Sequence, residues 1–447
     1  MTLRFGTDGV RGVANRDLTP ELVTALGRAA ARVIGTDHPF LVARDTRRSG
    51  PMLEAALVAG LCAEGAGVEQ AGVLPTPGLA YLAQAREAPA AMISASHNPF
   101  LDNGVKLFAP GGRKIPEDWE ARIEKHVRDL ASTVPGGGAE GTGVGVGRRL
   151  RGADDEYVAH LVGALDERRL DGLHVVVDCG NGAAFEAAPR TLRGLGAEVD
   201  VHNDRPDGTN INDGCGSTYP APLQKAVVAA RAHAGLAFDG DADRVIAVDE
   251  RGNLVDGDQM LAVIALDLRE RGRLRDDAVV ATVMSNLGLR QALAAHGIEL
   301  VETPVGDRHV LAALEERDLS LGGEQSGHLI CTDLATTGDG ILTGLLLLDV
   351  MARAGEPLSH LAGVMTRLPQ VLRNVRVADR SRLNRSDDLW DRLRTAEREL
   401  GGDGRILVRA SGTEPVVRVM VEAPTAEQAE AVADRLATAV EQACGAP

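Results

Sequence analysis

Three similar α/β units with mainly parallel, mixed sheets, then an α+β unit, all around a central cleft, are what this sequence predicts. Three observations carry that expectation: the length of the chain, a pattern that recurs three times, and a change in element order after Pro369. At 447 residues the chain exceeds what one core supports, since single cores stop growing near about 250–300 residues. Each recurrence reads as a short apolar run, a polar loop, an amphipathic helical stretch, a glycine and a second apolar run. The first copy is FLVARD, a helix over about Pro51 to Glu64, then GVEQAGV. The second runs from LHVVVDCGNG to GAEVDVH and the third from AVVATVMSN to GIELVETPV, each with a helix between. Such self-similarity marks an internal repeat. Strand, helix and strand at this spacing require right-handed crossovers, hence parallel sheets covered by helices.

The Gly-rich segment PGGGAEGTGVGVG, residues 135–147, breaks the periodicity and closes the first unit near residue 150. The expected units are therefore 1–150, 151–254, 255–369 and 370–447. In the last, a strand is followed by a helix from Asp387 to Leu400, two strands, the second over Pro415 to Glu422, and a long C-terminal helix. That order reads as α+β. Units of this kind bind ligands in the clefts they form together.

Composition narrows the function classes. Hydrophobic residues make up 44% and charged residues 25%, which is ordinary globular material. Aromatics are only 2% and the net charge is −16, so neither base stacking nor electrostatic attraction to nucleic acid or anionic membranes is provided for. A phosphate-bearing substrate must then be met by a local cluster of arginines. The five cysteines, Cys62, Cys179, Cys215, Cys331 and Cys444, form no C-x-x-C pair and suit a reduced cytoplasm. MTLRFGTDGVRG has no apolar signal region, and the greasiest stretch, Ile341 to Ala352, is interrupted by Thr343, Gly344 and Asp349. Neither export nor membrane spanning is expected.

Four words carry chemistry. ISASHNP follows the apolar run APAAM and sets Ser96 on a turn, where an exposed hydroxyl can act as a nucleophile or simply end a strand. A serine-hydrolase reading fails: no serine lies in a G-x-S-x-G elbow, and His97, adjacent in sequence, is badly placed as its base. DGDADR puts Asp239, Asp241 and Asp243 at alternate positions between the apolar runs GLAF and VIAV, on one side of an extended chain. Three carboxylates so close repel unless a cation sits among them. A hard divalent ion follows. Mg²⁺ is favoured over Ca²⁺, because Arg244 occupies the position where an EF-hand needs glycine, and over a solvated turn.

GGEQSGH, Gly322 to His328, offers Glu324 and Ser326 as acceptors for sugar hydroxyls, with glycines that allow close backbone approach. A plain surface turn has the same letters. RASGTEP leads into VVRVMVE, so that Arg409, Ser411, Gly412, Thr413 and Arg418 can surround a dianion. Arg11, Lys106 and Arg308 add cations from GTDGVRG, DNGVK and VGDRH. P-loop, H-E-x-x-H and zinc spacings are absent, and the nearest dinucleotide fingerprint, Gly180-Asn181-Gly182, has Phe185 where its third glycine belongs.

In this order, FGTDGVRG, ISASHNP with DNGVK, DGDADR, GGEQSGH and RASGTEPVVRV resemble the α-D-phosphohexomutase family over nearly the whole chain. FGTDGVRG, the doubled serine of ISASHNP and PDGTNINDGCGST are most similar to the bacterial branch that interconverts glucosamine 6-phosphate and glucosamine 1-phosphate. That branch feeds UDP-N-acetylglucosamine and so peptidoglycan precursors. The runner-up is the same chemistry on mannose or glucose phosphates.

The resemblance implies an isomerase in which Ser96 is the phosphoserine, activated by phosphorylation, with one Mg²⁺ per site held by Ser96, Asp239, Asp241 and Asp243. It implies that Arg11, Lys106 and His97 belong to the reaction centre, with Lys106 a candidate for acid/base help. Arg244, Gly306, Asp307, Glu324 and Ser326 would meet the sugar phosphate. Arg409, Ser411, Gly412, Thr413 and Arg418 would hold the phosphate that is not being transferred. The implied partner is a hexosamine phosphate, with no nucleic acid or membrane, in the cytoplasm; a homodimer is allowed. One departure is His309 in VGDRHV, where the family pattern has Tyr.

Overall fold

The computed structural model describes residues 4–6, 8–132, 138–410 and 416–445. The chain forms two compact units, one of Met1–Met284 with Ile298–Val364, the other of Ser285–Gly297 with Met365–Pro447.

Among the described residues the first unit contains three sheets, of seven, five and four strands. In the first, Phe40–Arg44 runs parallel to Val68–Val73 on one side and to Ala90–Ile93 on the other, and Asp102–Ala109 joins antiparallel beyond Ala90–Ile93. The second sheet repeats this with His174–Asp178 between Glu198–His202 and Ala234–Phe238, and Val245–Asp249 antiparallel. The third does so with Ala278–Thr282 between Glu299–Thr303 and Leu321–Gly323, and Leu329–Cys331 antiparallel. The repeat is thus four strands in the order 2-1-3-4, larger than the strand–helix–strand pattern visible in the sequence.

This shared topology places the chemistry. ISASHNP, DGDADR and EQSGH each occupy the loop from the third strand of a copy to its antiparallel fourth. All three lie at the carboxyl end of a parallel strand, the end at which α/β sheets bind ligands. The central strands Ala90–Ile93, Ala234–Phe238 and Ala278–Thr282 are buried along their whole length, as parallel strands covered on both faces must be. Glu198–His202, at a sheet edge, alternates between half-buried and exposed residues instead.

Three short strands extend the first sheet, one of them Arg113–Lys114, antiparallel to Asp102–Ala109. Val10–Val13 pairs antiparallel with Asp102–Ala109, and Gly147–Arg149 runs parallel to Val68–Val73 at the far edge. Of the Gly-rich segment, residues 135–137 lie outside the described residues.

The apolar stretch from Ile341 is a buried helix, Gly340–Ala354. Asp339 caps it, with Oδ1 accepting from Leu342 N–H at 2.9 Å and Oδ2 from Tyr157 Oη at 2.8 Å. Burial pushes the Asp339 carboxyl from 3.8 up to about 6. A folded-state pKa above the unfolded one gives stability that is complete below pH 3.8 and lost as pH rises through about 6. About two pH units at roughly 1.4 kcal/mol each makes this about 3 kcal/mol. Against Asp339→Asn, which does not titrate, the wild-type Tm advantage is expected to shrink between pH 4 and pH 7 in scanning calorimetry. A gap independent of pH would contradict the assignment.

In the second unit, Val416–Glu422 lies between Gln370–Arg376 and Arg405–Ala410, all antiparallel, and helices Asp387–Leu400 and Ala426–Cys444 bury Leu389, Leu393, Leu436 and Val440 in its core. Helix Leu287–Ala295 belongs to this unit. Glu422, fully buried, accepts from Leu287 N–H at 3.1 Å and Arg405 Nε at 2.9 Å. All five cysteines are unpaired, and among the described residues no helix is long and apolar enough to cross a membrane.

Candidate active site

Ser96 sits just past the buried strand Ala90–Ile93, on a turn in which its own φ is +51°. The hydroxyl expected to be exposed is buried, the residue being 1% accessible. It donates to Asp239 Oδ2 at 2.5 Å, which brings the first and second motifs together. Gly240 explains how they approach. A Cβ there would lie 2.5 Å from the Ser96 carbonyl oxygen, so only glycine lets the aspartate loop close on the serine loop. Asn212, from the PDGTNINDGCGST stretch, adds an amide donor to the same oxygen at 2.9 Å.

The three aspartates do converge, each offering an oxygen within 4.8 Å of the others, but not by strand alternation. Residues 239–244 form a turn between Ala234–Phe238 and Val245–Asp249, with Ala242 at φ +58°. It is this curl that gathers the carboxylates. Burial pushes the Asp239 carboxyl well up, helped by the negative charges of Asp243 and Asp241. Burial also opposes ionisation of Asp243, yet Lys106, His328 and Arg244 outweigh it and hold that carboxyl well below the usual range. Asp241 Oδ1 and Asp243 Oδ1 are buried and accept no hydrogen bond among the described residues, a costly state for carboxylate oxygens that a cation relieves. An all-oxygen set of this kind fits a hard divalent ion such as Mg²⁺.

Lys106 supplies counter-charge. Its Nζ lies 2.8 Å from Asp241 Oδ2, 3.1 Å from Asp243 Oδ2 and 2.9 Å from Asp8 Oδ2. Burial alone would lower its pKa, but these carboxylates raise it well above the usual value and hold the ammonium form. Thr76 Oγ1 donates to the other side of Asp241 Oδ2 at 2.5 Å.

A cleft of about 480 Å³ opens beside the triad, lined by Arg11, His97, Asp243, Arg244, Gly306, Asp307 and Glu324 among others. Arg11 and Arg244 each retain a buried Nε–H with no acceptor among the described residues. His97 Nδ1 lies 3.3 Å from Ser96 Oγ and 3.3 Å from Arg244 Nη1. Since a guanidinium only donates, Nδ1 is the acceptor and the ring proton is on Nε2. Burial and the nearby Arg244 and Arg11 lower the His97 pKa, so the ring is neutral near pH 7.

On the third motif, half-buried Glu324 accepts from Gly306 N–H at 3.1 Å and from the exposed Ser326 hydroxyl at 3.4 Å. Gly327 seats this loop on the second motif, where a Cβ would meet Val245 O at 1.9 Å. Arg308 does not join the cations of the cleft. It is spent on Glu120 and Glu117 of helix Glu117–Ser132. His309 is exposed on helix Asp307–Glu316.

In the second unit, Arg409 and Arg418 face each other across paired strands. Burial and the charge of Arg418 depress the Arg409 pKa. Like charges directly opposite repel, and an anion placed between them would relieve that repulsion. Ser411, Gly412 and Thr413 lie outside the described residues.

The sequence reading passed over several residues. Asp8 and Lys114 link the triad to helix Asp307–Glu316: Lys114 Nζ binds Asp8 Oδ1 at 2.6 Å and also Asp307. His328, also buried, lies 3.9 Å from both Asp243 and Asp307. Asp8 stood inside GTDGVRG and His328 inside GGEQSGH, so a signal existed; Lys114 and Thr76 had none.

The chain matches, in order, four families described as phosphoglucomutase/phosphomannomutase alpha/beta/alpha domain I over residues 2–133, domain II over 155–252, domain III over 256–368 and C-terminal domain over 372–439. It is 54% identical to the phosphoglucosamine mutase of Kineococcus radiotolerans, over 98% of this chain and 99% of that one. Against the phosphoglucosamine mutase of Salinispora arenicola it is also 54% identical, over 98% of each chain. Among solved structures, a phosphoglucomutase/phosphomannomutase family protein from Burkholderia thailandensis superposes with a TM-score of 0.82 at 28% identity, covering 99% of this chain and 98% of that one. Four matched domains in sequence, with the site motifs gathered on equivalent loops of three of them, make the chain a member of the phosphoglucomutase/phosphomannomutase family.

Proposed function

We propose that the protein is a phosphoglucosamine mutase, interconverting glucosamine 6-phosphate and glucosamine 1-phosphate through a phosphoserine at Ser96 and a sugar bisphosphate intermediate. The carrying observation is the Ser96 hydroxyl, 2.5 Å from Asp239 inside a cluster of three buried aspartates. Full-length identity of 54% to proteins of that name supports the choice of sugar.

In the forward half, the P–O bond to Ser96 Oγ breaks as a bond forms from the free sugar hydroxyl to phosphorus; the proton that hydroxyl gives up balances the one Oγ takes up, and the restored serine hydroxyl again donates to Asp239. The bisphosphate then turns end for end, and its other phosphoryl group returns to Oγ. The result is isomerisation with no net phosphate consumed. Asp239, Asp241 and Asp243 would hold Mg²⁺, which when bound draws charge from the phosphoryl oxygens. Arg11 and Arg244 turn unspent N–H groups to the same oxygens, and Glu324 with the Gly306 loop holds the sugar. Arg409 and Arg418 take the phosphate that is not transferred. Five unpaired thiols suit work in the cytoplasm.

Sugar choice is testable at Glu324. A protonated 2-amino group facing a carboxylate gains about 1.5–3 kcal/mol over a neutral hydroxyl, roughly ten- to a hundredfold. Wild type is expected to prefer glucosamine 6-phosphate over the glucose and mannose 6-phosphates by at least about tenfold in kcat/KM, and Glu324→Gln to lose most of that preference. Equal use of glucose 6-phosphate by the wild type would defeat the glucosamine assignment.

A further inference from the structure

We infer that Arg47, paired with Asp45 beneath the serine loop, is the residue that positions Ser96 for phosphoryl transfer. The inference rests on the reading of Ser96 as the phosphoryl carrier. Ser96 holds φ +51°, a region that residues with a Cβ avoid unless their surroundings enforce it. Arg47 supplies the enforcement. It is fully buried, and both members of its ion pair with Asp45 have no side-chain exposure.

Every donor of its guanidinium is used. Nη2 donates to the carbonyls of Ser96 and Asn98, each at 2.8 Å. Nη1 donates to the carbonyls of Pro99 at 2.5 Å and Asp102 at 3.1 Å, and Nε to Asp45 Oδ2 at 2.8 Å. Five N–H groups therefore meet five acceptors, four of them main-chain oxygens of one loop. Asp45 closes the circuit. Its Oδ2 also accepts from Ser94 Oγ at 2.7 Å, and Ser94 Oγ accepts from Ser96 N–H at 2.9 Å. The N–H and the C=O of Ser96 are thus tied to the same buried charge pair, leaving the side chain as the part free to react.

A buried ion pair is a poor source of stability compared with apolar packing, so geometry is the better account of this one. Lysine separates the two roles. It preserves the charge opposite Asp45 but carries three donors on one nitrogen and cannot span four carbonyls. Ser94→Ala breaks the circuit at its other end without touching a charge.

The test compares wild type, Arg47→Lys and Ser94→Ala by steady-state kinetics on glucosamine 6-phosphate with Mg²⁺, by the rate at which glucosamine 1,6-bisphosphate phosphorylates Ser96 followed by peptide mass mapping, and by Tm. Arg47→Lys is expected to lose about thirtyfold or more in kcat with KM within about threefold, and Ser94→Ala about threefold or more, with phosphorylation slowed in parallel. A folded Arg47→Lys that keeps more than about a third of wild-type kcat overturns the inference, as does a KM that moves as far as kcat. If Arg47→Lys does not fold, Ser94→Ala decides: a loss confined to kcat supports the inference and wild-type kcat refutes it. Wild type that phosphorylates at Ser96 beside unaffected variants sinks only the positioning role. Wild type that never phosphorylates there sinks the carrier reading and the inference with it.

Discussion

Ser96→Ala is expected to turn over glucosamine 6-phosphate at least about a hundredfold more slowly than wild type, because covalent carriage by one oxygen leaves no equivalent route. The neighbouring hydroxyls are engaged elsewhere. Ser94 Oγ, on a wholly buried residue, is held between Asp45 and Ser96 N–H, and Thr76 Oγ1 donates to Asp241. The substitution removes one buried hydrogen bond, so Tm is expected to change by only a few degrees, about what 1 kcal/mol produces. Peptide mapping of the bisphosphate-treated wild type is expected to find the phosphate on Ser96 and none on Ser94. Near-normal turnover by Ser96→Ala would remove the serine from the mechanism.

Asp241→Asn is the second large effect, a loss of about a hundredfold or more in kcat/KM with the fold intact. Asparagine still offers an oxygen to Thr76 and Lys106, which reach Oδ2 at 2.5 and 2.8 Å. What it replaces is Oδ1, the buried oxygen that accepts no hydrogen bond among the described residues, now an amide unable to bind a cation. Stability is pulled both ways. The change removes repulsion from Asp239 and Asp243 and weakens the pair with Lys106, and Lys106 keeps Asp243 and Asp8. Calorimetric Mn²⁺ titration is expected to find one ion per wild-type chain and about tenfold or more weaker binding to the variant. Excess EDTA should abolish wild-type activity and Mg²⁺ restore it. Full activity in EDTA would exclude a metal from these carboxylates.

The fold was legible because its repeat is written as apolar runs. FLVARD, LHVVVDCGNG and AVVATVMSN each begin a parallel core, and the helix from Asp387 to Leu400 stands where its amphipathic period puts it. Less legible was the true extent of the repeat, since third strands such as Leu321–Gly323 are too short to show a period. Without them the equivalence of the three motif loops stayed hidden.

Motif chemistry fared in a similar way. Asp239, Asp241 and Asp243 were readable as a cluster from spacing alone, but a left-handed turn at Ala242, not alternation, assembles them. Arg308 read as one more free cation, and only tertiary contact shows it bound to Glu120 and Glu117. Arg47 is one of three arginines in ARDTRRSG. Nothing local says that this one is buried on four carbonyls, because its partners lie about fifty residues away.

The account as a whole is tested most directly by ³¹P NMR of purified protein with glucosamine 6-phosphate, Mg²⁺ and a trace of glucosamine 1,6-bisphosphate. The expected result is growth of the glucosamine 1-phosphate resonance at the expense of the 6-phosphate until the two reach equilibrium, with no inorganic phosphate. Release of inorganic phosphate without the 1-phosphate, or a spectrum that does not change, would contradict it.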